Sequence, residues 1–179
     1  DNFFAYISRM RYIERWSLMR NSMKENIQEH SHMVAVIAHA LAVIRRDVFG
    51  IPCNPDRYST AALYHDASEI LTGDLPTPIK YHSPEIQTAY KQVESLACEK
   101  LLETLPTAIR GSFSSILNGA EAEETHDLVK AADKLSAYIK CIEERRAGND
   151  DFLSAEKQTR DALVHMNLPE VDYFMEHFI

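Results

Sequence analysis

The sequence predicts an all-α protein, and three observations carry that reading. Only 5 glycines occur in 179 residues. The 7 prolines fall at the edges of segments rather than inside them. Almost every long window spaces its apolar residues at a helical period and not in the alternation of a half-buried strand.

Taken in order, FFAYISRMRYI (3–13) forms a short amphipathic helix, whereas WSLMRNSMKEN (16–26) has no clean period and reads as a loop. QEHSHMVAVIAHALAVIRRDVF (28–49) is a long and very apolar helix. Pro52 and Pro55 mark the next connection, and PDRYSTAALYHDASEIL (55–71) follows as a helix with Pro55 suited to its first turn. A loop, TGDLPTPIK, comes next. Ser83 is the expected N-cap of a helix over 83–105, with Pro84 behind it and Pro106 as the stop. TAIRGSFSSILN (107–118) is a weaker helix. The stretch 121–148 is long, with acids early and Lys and Arg late, as the helix dipole prefers. Residues 150–166 and 169–179 close the chain as two further helices. Helices 28–49, 55–71 and 121–148 are apolar enough to form the core of one domain. That core spans about 28–142, with 1–27 and 143–179 packed on it.

Composition narrows the function. At 45% hydrophobic and 26% charged residues the chain is ordinary for a globular protein. Its net charge of −8 makes it a poor general nucleic-acid binder, since a duplex partner needs a basic face. Cys53, Cys98 and Cys141 are odd in number and widely spaced, which gives neither a disulfide framework nor a thiolate metal site. No run of about 18 apolar residues suggests a membrane span, and no signal-peptide pattern precedes the first helix. A cytoplasmic protein with reduced thiols is the expectation.

The core helices nevertheless carry charge. His30, His32 and His39 lie in the first, His65, Asp66 and Glu69 in the second, and Asp133 in the third. Buried charge is costly unless it is paired or binds a metal. Two histidines and two aspartates drawn from three helices make a four-ligand set, and imidazole with carboxylate suits Mn, Fe, Co, Ni or Zn. An adjacent His-Asp pair is weak evidence alone, and a second one, His126-Asp127, sits in the acidic run after EAEET, where a solvated surface position is expected. His65-Asp66 differs in its apolar setting and in having Glu69 close behind. His32 and His39 match the face of His30 poorly and read as packed or solvent-facing. Taken alone, Arg15 beside Glu14 reads as a surface cation, and Trp16 as a core anchor or a wall against a sugar at the mouth of a loop. Asp74 after Gly73 fits a turn residue, against which stands its position just after the His-Asp helix, and the aromatic tail DYFMEHF reads as core or dimer packing.

EHSHMVAVIAHAL, ALYHDASEILTGDLPTPIKY and KAADKLSAYIKCIEE strongly resemble the HD-domain phosphohydrolases, most of all the bacterial 5′-deoxynucleotidases of that superfamily. The similarity extends to RMRYIERWSLMRNSMKENIQEHS at the front and VDYFMEHF at the back. It implies a single HD-domain helical bundle that works as a homodimer. One divalent transition metal, Co, Mn or similar, would be held by His30, His65, Asp66 and Asp133. The implied substrate is a deoxyribonucleoside 5′-monophosphate, with neither a nucleic acid nor a membrane as partner. Glu69 matches the acid essential for catalysis, with Arg15 and Asp74 assisting. Arg15 and Trp16 match the pair that orients the phosphate and selects the sugar. Asp74, Leu75, Pro76 and Thr77 match the loop that meets the nucleoside, while His30, Asp66 and Asp133 would face the substrate as well as the ion. In this scheme an activated water attacks phosphorus in line and the 5′-oxygen leaves. Glu69 either takes a proton from that water or gives one to the leaving oxygen. Other enzymes of the superfamily cleave nucleoside triphosphates, cyclic dinucleotides or the stringent-response alarmone, and a non-catalytic metal-binding module is the remaining alternative.

Overall fold

The computed structural model describes residues 2–80 and 82–179, leaving Asp1, Tyr81 and the side chain of Thr77 outside the description. The regular structure of the described residues is all helical, with no strand longer than one isolated bridge. Helix α1 (Phe3–Ile7) tightens into a 3-10 turn over Ser8–Tyr12, so only the first half of the expected 3–13 helix is α-helical. The loop that follows is closed by an antiparallel bridge between Glu14 and Asn26, which sets Arg15 opposite Glu25.

Helix α2 (Ile27–Asp47) starts with a capping box. Asn26 accepts from the backbone of Glu29, and the Glu29 carboxylate accepts from the backbone of Asn26. Its buried residues Ile27, His30, Val34, Ile37, Ala38, Leu41 and Ile44 repeat at three- and four-residue intervals, while His32 and His39 are exposed. By length and apolar content α2 is also the one helix among the described residues that could cross a membrane, and its buried stripe is the centre of this fold. Helix α3 (Pro55–Tyr64) is capped by Asn54, with Pro55 in its first turn.

The expected helix over 55–71 is interrupted. Residues 65–68 form a tight turn, and α4 (Glu69–Thr72) begins only after it. Here the backbone bonds run between residues three apart, from Ala67 to Tyr64, Glu69 to Asp66 and Leu71 to Ser68. Such tightening inside a helical stretch often marks a functional site. Gly73 then ends α4 at a positive φ of 73°, which favours glycine. The region read as a loop contains a single further turn, α5 (Thr77–Lys80).

Ser83 caps α6 (Pro84–Glu103) as expected, and α7 (Thr107–Asn118) follows Pro106. Gly119 joins α7 to α8 (Ala120–Arg146) at a place where a Cβ would lie 2.9 Å from the Cα of Ser115, so only glycine fits without a shift. A 3-10 turn (Asp150–Phe152) leads into α9 (Leu153–His165), and α10 (Pro169–Phe178) ends the chain.

Helices α2, α3 and α8 pack side by side, with α9 against α8 and α10 against α2. Leu41, Leu128, Leu135 and Leu163 are almost wholly buried between them, and burying a side chain of this size contributes about 1.5–3 kcal/mol. The tail supplies Val171 and Phe174 to the same core. A second cluster joins Phe3 of α1 and Ala67 of the turn to Leu101, Leu102 and Leu105 at the end of α6. It anchors the tight turn from below. Across the core, Arg45 links three segments by donating to Glu170 and Asp127 and lying 3.3 Å from Tyr58. Asp127 is therefore a structural acceptor and not the merely solvated residue that its acidic run suggests.

Candidate active site

The buried stripe of α2 brings His30 to the junction with α3 and α8, where its side chain is fully enclosed. His65 comes from the tight turn and Asp133 from the edge of the α8 stripe. The ligand atoms of these three residues lie within 4.8 Å of one another. Asp66 borders the group, with Oδ2 at 3.2 Å from His65 Nε2 and 3.6 Å from His30 Nε2.

Each ring is oriented from its far side. His65 Nδ1 lies 2.7 Å from the carbonyl oxygen of Ala62, so that nitrogen donates and Nε2 keeps its lone pair. His30 Nδ1 lies 3.2 Å from both Ser136 Oγ and Glu25 Oε1, which fixes the same tautomer. The Nε2 of His30 is 3.1 Å from Asp133 Oδ1. That approach and the one between His65 and Asp66 lack the alignment of a hydrogen bond, and both buried Nε2 atoms have no hydrogen-bond partner among the described residues. Buried polar atoms are rarely left so. Two inward-facing imidazole lone pairs beside two carboxylates fit a divalent transition metal.

Electrostatics agrees with that fit. Burial lowers His65, but Asp66 and Asp133 outweigh it and push the imidazole up to about 9. A cation is thus favoured at this point, as a proton or as a metal. Burial would raise Asp66 and Asp133; the neighbouring histidines instead hold Asp66 down to about 2 and Asp133 well below the usual carboxylate range.

Arg15 is not the surface cation that its neighbour Glu14 suggests. Glu14 pairs with Lys24, while Arg15 turns inward to within 3.5 Å of Asp66 and 4.0 Å of Asp133. Burial opposes its charge, and the surrounding carboxylates of Asp133, Asp66, Glu25 and Asp74 more than compensate. Trp16 is half-buried, packs its ring 5.2 Å from that of Phe152 and adopts a φ of 59°. A bulky residue in the left-handed region is an outlier that the surroundings must hold in place. Two amide groups do so, since Met19 N–H and the Asn21 side chain both donate to the Trp16 carbonyl.

Glu69 opens α4 and is buried, with Oε2 lacking a hydrogen-bond partner. Burial first, then Asp66 and Asp74, push its carboxyl up to about 9. Burial likewise raises Asp74, with Arg15 pulling against it. Leu75 and Pro76 are half-buried in the same loop, and Thr77 begins α5 with its side chain outside the described part.

Two contributors had no signal in the sequence. Ser136 reads as one small residue on a core helix, and Glu25 sits in the aperiodic loop, five residues before His30. A search for metal-ligand residue types on core helices does not reach either of them.

The sequence matches the family described as YfbR-like 5′-deoxynucleotidase over residues 2–179. It is 48% identical to a 5′-deoxynucleotidase of Yersinia pseudotuberculosis serotype I, covering 100% of this chain and 91% of that protein, and equally so to one of Yersinia pestis (strain Pestoides F). Among solved structures, an HD-domain phosphohydrolase from Listeria innocua superposes with a TM-score of 0.85 at 22% identity, covering 98% of this chain and 85% of its own. A cyanophage S-2L HD phosphohydrolase, bound to dA and one catalytic Zn2+ ion, gives a TM-score of 0.66 at 21% identity, covering 97% and 92%. The all-α bundle is thus the HD-domain fold.

Proposed function

The chain belongs to the YfbR-like 5′-deoxynucleotidase family, and from that premise we propose that it hydrolyses deoxyribonucleoside 5′-monophosphates to the deoxyribonucleoside and phosphate, using one divalent transition metal. The observation that carries the reading is the pair of unpartnered, buried Nε2 atoms of His30 and His65 beside Asp133. These three residues and Asp66 would hold the ion. When bound, a divalent metal lowers the pKa of water and neutralises phosphoryl oxygens.

The rest of the reaction is assigned to the chain's own side chains. Arg15 offers a planar fork of donors to the phosphate, and its carboxylate neighbours keep that fork aimed at the ligand cluster. Glu69 handles the proton. Burial favours its protonated form, which supports donation to the leaving 5′-oxygen, and the charge of Asp74 adds to that preference. The prolines Pro76 and Pro78 restrict the Asp74–Thr77 loop, which lowers the ordering cost when a nucleoside docks against it. Trp16 would form the wall beside the sugar.

The dA bound to the cyanophage enzyme supports a nucleotide-type substrate here. A single domain is supported by the family match over 2–179 and by the packing of α1, α9 and α10 around the helices that carry the site. We also assign a homodimer, for which α6 and its neighbour α5 offer exposed Ile79, Val93 and Leu96. The three thiols are unpaired, which suits the cytoplasm. The net charge of −8 disfavours a nucleic-acid partner. Phosphate release measured across deoxy- and ribonucleotides with several metals, with and without chelator, tests the reading. A chelator-sensitive preference for deoxynucleoside monophosphates is expected, and phosphate release that ignores chelator would overturn it.

A further inference from the structure

Glu25 touches three of the residues assigned to this site with one carboxylate. Its Oε1 lies 3.2 Å from His30 Nδ1 and 3.3 Å from Arg15 Nε, and its Oε2 accepts from Trp16 Nε1 at 3.3 Å. The bridge between Glu14 and Asn26 puts it there by closing the loop across Arg15. We infer that Glu25 is a positioning residue that ties sugar discrimination by Trp16 to metal binding by His30. The inference rests on the function proposed above.

Donors and acceptors leave one solution at this position. The indole N–H and the guanidinium can only donate, and His30 must donate through Nδ1 if Nε2 is to hold an ion. Only an ionised carboxylate accepts from both sides at once. A carboxylate behind a metal-binding histidine fixes its tautomer and raises its basicity, and losing such a partner typically weakens metal binding by about 10–100-fold. Here the same oxygens also restrain Trp16, whose φ of 59° needs external support. Loosening the carboxylate therefore frees the ion and the sugar wall together.

The test uses Glu25→Ala and Glu25→Gln in the full chain, with Ser136→Ala as control. The amide of Gln presents an N–H to an N–H on one of its two sides, so it does not rescue. Affinity for Co2+ or Mn2+ is read by competition with a chromophoric chelator, without substrate. Trp16 is the only tryptophan, so the emission of the metal-free protein reports the indole contact. The deoxy-to-ribo ratio of kcat/KM is the third readout. Both Glu25 variants should bind metal about 10-fold or more weakly, with altered emission and a reduced ratio. Ser136→Ala, which removes the other contact to His30 Nδ1, should weaken metal binding and leave emission and ratio alone. If Glu25→Ala fails to fold, the isosteric Gln variant decides. Unchanged metal affinity overturns the inference, and so does weakened affinity with emission and ratio unmoved. The first two readouts need no turnover. A wild-type protein that releases no phosphate would sink the nucleotidase reading, while metal affinity and emission would still decide the role of Glu25.

Discussion

His65 turns its Nδ1 onto the carbonyl oxygen of Ala62 at 2.7 Å, and that contact joins fold to site. The carbonyl lies where α3 gives way to the tight turn, so the side chain that aims an imidazole inward also caps the helix. A ring held in this way turns Nε2 toward Asp66 and Asp133, where it has no hydrogen-bond partner among the described residues.

His65→Ala and Asp133→Ala are each expected to remove bound metal and activity together, because each deletes one of the proposed ligands. Elemental analysis of the purified variants gives metal per chain. Full occupancy in either one would mean that the site has been assigned to the wrong residues.

Glu69→Gln should separate binding from chemistry. The amide preserves size and loses the proton function, which is typically worth about 10²–10⁴-fold in rate. Metal content should stay at the wild-type level while kcat falls by that factor. Normal turnover would make Glu69 structural and move the proton route to Asp74.

Much of this could be read in the sequence, and what could not has definable causes. His30 was legible because an ionisable residue on a largely apolar stripe has few explanations. Pro55, Ser83 and Pro106 marked helix ends through local chemistry alone. The break at 65–68 was hidden, since Ala61, Tyr64, Ala67 and Ile70 keep a helical spacing across it and the deciding contact is between a side chain and a backbone carbonyl. Glu25 and Asp127 were hidden for another reason. Their partners, Arg15 and Trp16 for one and Arg45 for the other, lie across a loop or 82 residues away. Spacing reports neighbours on one element and is silent about such pairs.

The loop that carries Arg15 and Trp16 is pinned by a buried acid, which yields a stability prediction. Glu144 is almost fully enclosed and accepts from Lys140, Ser22 and the side chain of Asn149. Lys140 also donates to the carbonyl of Met23, and Asn149 to that of Arg20. Glu144→Ala leaves the Lys140 ammonium buried without its counter-charge, a change that typically costs about 3–5 kcal/mol. A lowered urea midpoint with unchanged slope is the expected result, and a midpoint equal to wild type would show that the network adds nothing. The pH dependence has a definite sign. Burial would raise Glu144, but its hydrogen bonds hold it well below the ordinary carboxylate range. Its contribution is therefore complete above the unfolded value of about 4.3 and is lost as pH falls below that. The gap between wild type and variant should narrow on acidification.

Trp16 gives the sharpest test of substrate choice. A deoxy- and a ribonucleotide differ by one 2′-hydroxyl, and an apolar wall rejects an added hydroxyl only modestly, roughly 10²-fold. Leaving a polar group buried and unpaired costs about 1–3 kcal/mol, which agrees with that factor. The indole is held by two supports, the ring of Phe152 at 5.2 Å and the carboxylate of Glu25 at 3.3 Å. Trp16→Ala removes the wall and lets water reach the hydroxyl. Activity on the deoxynucleotide should fall somewhat from lost packing, while the deoxy-to-ribo ratio of kcat/KM should fall much further, towards unity. Trp16→Phe separates the two supports, because it keeps an aromatic face for Phe152 and gives up the N–H. If packing alone sets the wall, Phe preserves the ratio. If the bond to Glu25 is also needed, Phe lands between Ala and wild type. A ratio unchanged in Trp16→Ala would place sugar reading in the Asp74–Thr77 loop and return Trp16 to the role of a packing anchor.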